Sequence, residues 1–273
     1  MKIVNFTPGL GNQIFEYIFV QYLKKTFPQE GVYGYYNPKF LNKHNGLEVN
    51  KMFDVELPPE SKWSNFVALM CRVITRVVPC VKATDEKYSA NAIYYDGWWQ
   101  NKRYFLDTID SIKYYLPQLD ETNKRLMTEI ATTDSVSLHV RRGDYLEPHN
   151  AKQYGGICTI EYYIDAIDIV KKHFERPQFY IFSNDIEWCK ENLPVENIVF
   201  VTNNTGANSW IDMYLMSHCK ANIIANSSFS YWGALLNKKE NLVVYPEKWT
   251  NSKTPDIFPD NWIPVNVRSK KRD

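Results

Sequence analysis

The sequence predicts an α/β protein of two lobes, each a parallel sheet covered by helices. Three observations carry that expectation. Short apolar runs alternate with helical patterns through the second half, and the first half opens with a strand, a glycine turn and a helix. Between them the pattern breaks into a long aromatic-rich stretch. The boundary falls near 134, giving lobes of 1–133 and 134–273.

In the first lobe KIVNF (2–6) reads as a strand and TPGLGN (7–12) as a turn. QIFEYIFVQYLKK follows as a helix with Ile14, Tyr17, Ile18 and Tyr22 on one face. Gly9 and Gly11 permit a tight turn, and Asn12 is placed to cap the helix. The loop is not a dinucleotide fingerprint, because Ile14 stands where the third glycine is needed. Gly11, Asn12 and Gln13 are instead expected to face a cleft from this lobe. NFVALMCRVITRVV (65–78) is the most apolar helical run, but Arg72, Arg76 and the following Pro79 make it too short and too charged to span a bilayer. It is expected to be ordinary core, with a greasy face toward a lipid-linked acceptor as the alternative.

Strand-like runs in the second lobe occur at 136–140, 178–183, 197–202, 221–225 and 242–246. The clearest helix between them is TIEYYIDAIDIVKKHF, with Ile160, Ile164, Ile167 and Val170 at helical spacing and Thr159 as N-cap. A closing segment rich in Pro and Trp (246–265) is expected to pack back across the lobes.

Composition narrows the function. The net charge is +1, from 32 basic and 31 acidic residues, so no basic field marks a nucleic-acid partner. Five cysteines, odd in number and without C-x-x-C spacing, point to a reducing compartment rather than a disulfide framework. The opening MKIVNF reads as a strand and not a signal peptide, which makes the cytosol the expected setting, with peripheral contact at the inner membrane face left open. The closing SKKRD reads as a solvated tail.

The segment SVSLHVRRGDYL (135–146) carries the chemistry. An alternating apolar strand ends in Arg141 and Arg142, where a parallel sheet binds its ligands. A guanidinium fork there can hold phosphate bidentately; alternatively, Arg141 and Asp144 form a plain surface ion pair. Two more strand ends are polar, FSND (182–185) and NSSFS (226–230), which favours a nucleotide pocket over isolated helix caps. No D-x-D or spaced His pair suggests a metal, and His44, His149 and His173 read as surface residues. Tyr94, Tyr95, Trp98 and Trp99 form a dense aromatic cluster suited to a sugar acceptor, with at least two of the rings expected in the core.

HVRRGDY, with GLGNQIFEY, DGWWQNKRYF, FSNDIEWCKENL and NSSFSYW in this order and spacing, resembles the bacterial α-1,2-fucosyltransferases of glycosyltransferase family 11. The resemblance runs from Met1 to about Trp249. It implies the GT-B fold, two Rossmann-like lobes with a cleft between them, with GDP-β-L-fucose as donor and no metal or other cofactor. It implies that His139 and Arg141 contact the GDP, Arg141 at the β-phosphate, with Arg142 in support. Asp212 would read the guanine N–H edge. Ser227 and Ser228 would bond the phosphates, and Asn184, Asn226 and Phe229 belong to the matching donor-side segments. Asn12 and Gln13 would lie near the sugar and the acceptor, a glycan ending in β-galactose, either free or lipid-linked. Glu16 stands where many relatives carry Gln; it and Asp144 are the candidate bases, with Glu16 read first as an ordinary helix carboxylate.

Two other readings remain. A transferase for another GDP-sugar or linkage would need the same clamp. A non-catalytic sugar- or nucleotide-binding protein would keep carbohydrate binding without Arg141.

Overall fold

The computed structural model describes residues 1–42, 45–75, 78, 81–105, 108–109, 112–237 and 239–266. His44, Arg76, Pro79, Cys80 and the SKKRD tail lie outside the described residues. The chain divides into two compact units, Met1–Leu116 and Pro117–Asp273.

The first unit opens with β1 (Lys2–Asn5) and α1 (Leu10–Thr26), as the sequence indicates. Gly9, at φ +93°, occupies the N-cap position, a conformation that favours glycine. The helix therefore starts three residues earlier than an Asn12 cap would allow, and Asn12 sits in its first turn. Next come β2 (Val32–Tyr35), α2 (Pro38–Leu41), α3 (Val49–Met52), α4 (Lys62–Ile74), β3 (Lys82–Ala83) and β4 (Tyr94–Tyr95). The four strands form a wholly parallel sheet in the order β2-β1-β4-β3. Helix α1 closes over a nest of rings in which Phe19 stacks on Trp99 at 3.9 Å, with Tyr104 edge-on at 4.9 Å.

Helix α4 departs from the ordinary-core expectation. It is anchored by a capping box between Ser61 and Ser64 and buries only small residues, Ser64, Ala68 and Cys71. Ala68 and Cys71 pack against Tyr35 and Tyr94.

In the second unit α5 (Glu121–Thr132) precedes β5 (Asp134–Val140), then α6 (Pro148–Tyr154), α7 (Ile160–Lys171), β6 (Pro177–Ser183) and α8 (Ile186–Asn192). The order continues with β7 (Ile198–Val201), α9 (Trp210–Met216), β8 (Ala221–Ile223), α10 (Ser228–Leu235), β9 (Leu242–Pro246) and β10 (Ile263–Val265). The boundary at 116/117 lies ahead of the expected 133/134, because α5 seats Leu126 and Ile130 on Tyr180 and Phe182 of β6.

All six strands are parallel, in the order β10-β9-β8-β5-β6-β7. Counted from β5, this is the doubly wound order 3-2-1-4-5-6, which reverses direction between β5 and β8. Both faces are covered. Val136, Leu138 and Val140 pack with Tyr162, Ala166, Ile167 and Val170 of α7, while Tyr180 and Phe182 meet α5 and α9 on the other side.

The alternation leaves Ser135, Ser137 and His139 on the α9 side of β5, all buried. Ser137 is satisfied by the Asn222 amide at 2.6 Å, and Ser135 donates to the Ile130 carbonyl at 2.8 Å. Thr159 holds the N-cap position of α7, but its hydroxyl makes no cap bond. The Pro- and Trp-rich segment packs on this second unit. Tyr245 stacks on Phe258 at 3.9 Å, the Tyr231 hydroxyl donates to the Ile257 carbonyl at 2.7 Å, and β10 joins the sheet beside β9.

Candidate active site at the switch point of the second sheet

Open α/β sheets bind ligands beyond the carboxyl ends of their strands, at the point where the order reverses. Here that point lies between β5 and β8, so the ends at Val140 and Ile223 diverge side by side. His139, Arg141 and Arg142 leave β5 there, and Asn226, Ser227 and Ser228 follow β8.

Asp144 holds Arg141. Its Oδ2 accepts from Nη2 at 2.9 Å, and Oδ1 lies 2.9 Å from Nε at an angle too oblique for a second hydrogen bond. The guanidinium also lies 5.7 Å from the centre of the Tyr145 ring, itself stacked on Tyr154 at 5.0 Å. Arg142 is fixed otherwise: Nε donates to Asp185 at 3.2 Å, and the guanidinium covers the Trp188 ring at 4.2 Å. Asn184 ties the two strand ends together by accepting from the Arg142 N–H at 3.0 Å. A Cβ on Gly143 would stand 2.3 Å from the Asn184 amide nitrogen, so glycine permits this approach.

His139 differs from the arginines. It is 6% exposed, and burial, reinforced by Arg141, lowers its pKa from 6.5 to about 3. The ring is therefore neutral at ordinary pH, and its Nδ1 has no partner among the described residues. Phe229 lies 6.0 Å away, ring to ring. Beside it, Ser227 caps α10 by position, yet its hydroxyl makes no cap bond.

Asn226 is placed differently from the expectation. Its amide donates to the Tyr154 and Trp249 carbonyls at 3.3 and 3.1 Å, and its oxygen accepts from the Cys158 thiol at 3.4 Å. That side chain staples α6 and the closing segment to the sheet, so it is not a donor-facing group.

Asp212 sits in the first turn of α9, where Asn204 donates to it at 2.7 Å. Asn204 and Asn123 exchange amide bonds of 2.9 and 3.1 Å, which fixes Asn204 against α5. Burial raises the Asp212 pKa from 3.8 to about 7, with the Asn204 bond opposing it. The folded state therefore retains a proton that the unfolded chain releases. The stability this contributes is complete below pH 3.8 and is lost as pH rises toward about 7. Asp212→Asn removes the loss and keeps the acceptor oxygen. Thermal unfolding at pH 8 should show the variant more stable by about 1–2 kcal/mol, a gap that narrows at pH 5.

Several first-unit candidates prove structural. Gln13 has no exposed surface: its Nε2 donates to the Thr7 and Gly46 carbonyls, and its Oε1 accepts from the N–H groups of Glu48 and Val49. It cannot meet a sugar, because every lone pair and proton it needs is already used. Glu16 is equally buried and bonds the Thr7 N–H and hydroxyl at 3.0 and 2.5 Å. Burial pushes its carboxyl well above the ordinary range, and with no exposed surface it braces the loop rather than serving as an accessible base. Gly11 is buried in α1. Tyr94, Tyr95 and Trp99 are core, while Trp98 and Asn12 keep partial exposure.

Sequence reading missed Tyr145, Tyr154, Asn123 and Asn204. Asn203 and Asn204, just past the β7 strand run, offered the same polar-strand-end signal as FSND and NSSFS. The other three act through contacts that only the fold brings together.

Among solved structures, the fucosyltransferase NodZ from Bradyrhizobium matches at a TM-score of 0.55, with 13% identity over 86% of this chain and 92% of NodZ. The architecture is that of the GT-B glycosyltransferases. Residues 77–266 match glycosyl transferase family 11, and the chain belongs to that family. An α-1,2-colitosyltransferase from Escherichia coli is 31% identical over 94% of this chain and 96% of the relative. A galactoside α-(1,2)-fucosyltransferase 1 from Ateles belzebuth is 34% identical over 37% of this chain and 28% of its own length.

Proposed function

We propose that the protein transfers L-fucose from GDP-β-L-fucose to the 2-hydroxyl of a β-galactosyl glycan, with inversion and without a metal. His139 carries the reading. A buried polar atom without a partner costs about 1–3 kcal/mol, and a bound ligand offsets it; Nδ1 is such an atom, two residues from Arg141 at the sheet's switch point. The α-1,2 names of two relatives, and a NodZ structure solved with GDP-fucose, support linkage and donor.

In this reading the acceptor 2-oxygen attacks the fucose anomeric carbon as the bond to the β-phosphate oxygen breaks. The transition state is oxocarbenium-like, and negative charge grows on the departing diphosphate. Arg141, held rigid by Asp144, neutralises that charge, and the first turn of α10 adds N–H groups. Asp144, beside Arg141, is the candidate to take the acceptor proton. Asp212 accepts from the guanine N–H edge once ionised, so GDP affinity should fall as pH drops below about 7.

One observation favours a second donor. The colitosyltransferase likeness spans nearly the whole chain, and colitose is fucose without its 3-hydroxyl.

The test is turnover of GDP-fucose with lactose in EDTA, following GDP release and product linkage. An α-1,2-fucosylated product is expected; tight GDP binding without transfer would overturn the fucose or acceptor assignment, and no GDP binding would overturn the clamp. Competition against the 3-deoxy donor separates the two sugars.

A further inference from the structure

Helix α4 wears its large apolar residues outward. Trp63, Phe66, Leu69, Met70 and Val73 are 63%, 53%, 50%, 41% and 70% exposed, whereas the side packed on Tyr35 and Tyr94 carries Ser64, Ala68 and Cys71. Spacings of three and four place the five on one stripe. Single exposed hydrophobes are ordinary, but a contiguous stripe marks a contact surface. Trp63 and Phe66 stack at 5.8 Å, and Phe40, 46% exposed, lies beneath Arg72 at 5.6 Å.

The charge around the stripe selects the occupant. From Ser61 to Ala83 the chain contains Lys62, Arg72, Arg76 and Lys82 and no acidic residue, and Glu60, just ahead of the N-cap, accepts from Asn65 at 3.2 Å. Lys82 is taken by Asp96, and Lys62 and Arg72 flank the stripe on α4 itself. A two-fold pairing of α4 with a second copy would set these basic ends against each other without a carboxylate on the helix to neutralise them. An anionic lipid surface meets both demands, taking aromatic and aliphatic side chains at the headgroup boundary and attracting the flanking cations. No helix among the described residues is long and apolar enough to cross a membrane.

We propose that α4 is an interfacial anchor, lying in the plane of an anionic membrane with Trp63, Phe66, Leu69, Met70 and Val73 inserted and Lys62 and Arg72 at the headgroups. The proposal is independent of donor and acceptor identity, since its test reads lipid and not turnover.

Flotation of the full chain with vesicles tests it. The protein should float with equal parts phosphatidylcholine and phosphatidylglycerol, and far less with phosphatidylcholine alone. Added salt should weaken the interaction. The triple variant Phe66→Gln, Leu69→Gln, Val73→Gln should lower partitioning at least about tenfold with an unchanged circular dichroism spectrum. If that variant fails to fold, Val73→Asp alone, at the most exposed of the five positions, should do the same. Absence of flotation by the parent chain, or flotation undiminished in the variants, would overturn the anchor. So would a concentration-dependent dimer abolished by the same substitutions, which would assign the stripe to a second copy.

Discussion

Replacing Arg141 by Ala should lower kcat by about 10²–10³-fold and weaken GDP binding by about tenfold or more, with the fold intact. The magnitude separates two accounts of one geometry. A partly exposed ion pair with Asp144 is worth about 0–1 kcal/mol, so if that were its whole role, turnover would hardly change. Arg141 instead stands at the switch point beside a neutral, unpartnered imidazole, where a diphosphate would develop charge. Arg141→Lys keeps the charge but loses the planar fork and should recover only part of the activity. Steady-state kinetics and GDP titration on both variants check this, and equal rates in all three proteins would exclude the clamp.

Gln13→Ala should cost about 3–5 kcal/mol, the largest stability loss expected of any substitution discussed. Four backbone groups, the carbonyls of Thr7 and Gly46 and the N–H groups of Glu48 and Val49, would lose their partner around a side chain with no exposed surface. Thermal unfolding should begin about 10 °C lower. Gln13→Glu should not rescue it, because its second oxygen would face the Thr7 and Gly46 carbonyls. A loss below about 1 kcal/mol would mean that the loops repair themselves around the gap.

The second sheet was the legible part of the sequence, because both parallel faces are covered and its strands read as apolar runs of the right length. Strand ends were legible too, and HVRRGDY led directly to the Arg141–Asp144 pair. What stayed hidden has a common cause. Gln13 looked like a cleft residue because its partners lie more than thirty residues away, around Gly46 and Glu48. Asn226 looked like a ligand group until Tyr154 and Trp249 turned its amide inward. Helix α4 was readable as apolar, but periodicity alone does not say which face meets the protein; the small residues Ser64, Ala68 and Cys71 decide it. The domain boundary moved because α5 follows its hydrophobic partners on β6 rather than the break in pattern.

The serine and histidine stripe along β5 has a consequence for motion. The α7 side of that strand packs through Val136, Leu138 and Val140 into a large apolar cluster, whereas the α9 side is held partly by hydroxyl and amide bonds that water can replace. Local opening should therefore begin on the α9 side, and amide protons there should exchange with solvent before those of α7. Helix α9 carries Asp212. In the proposed donor complex the Asp212 side of the pocket would loosen before the Arg141 side, letting a nucleotide leave base-first.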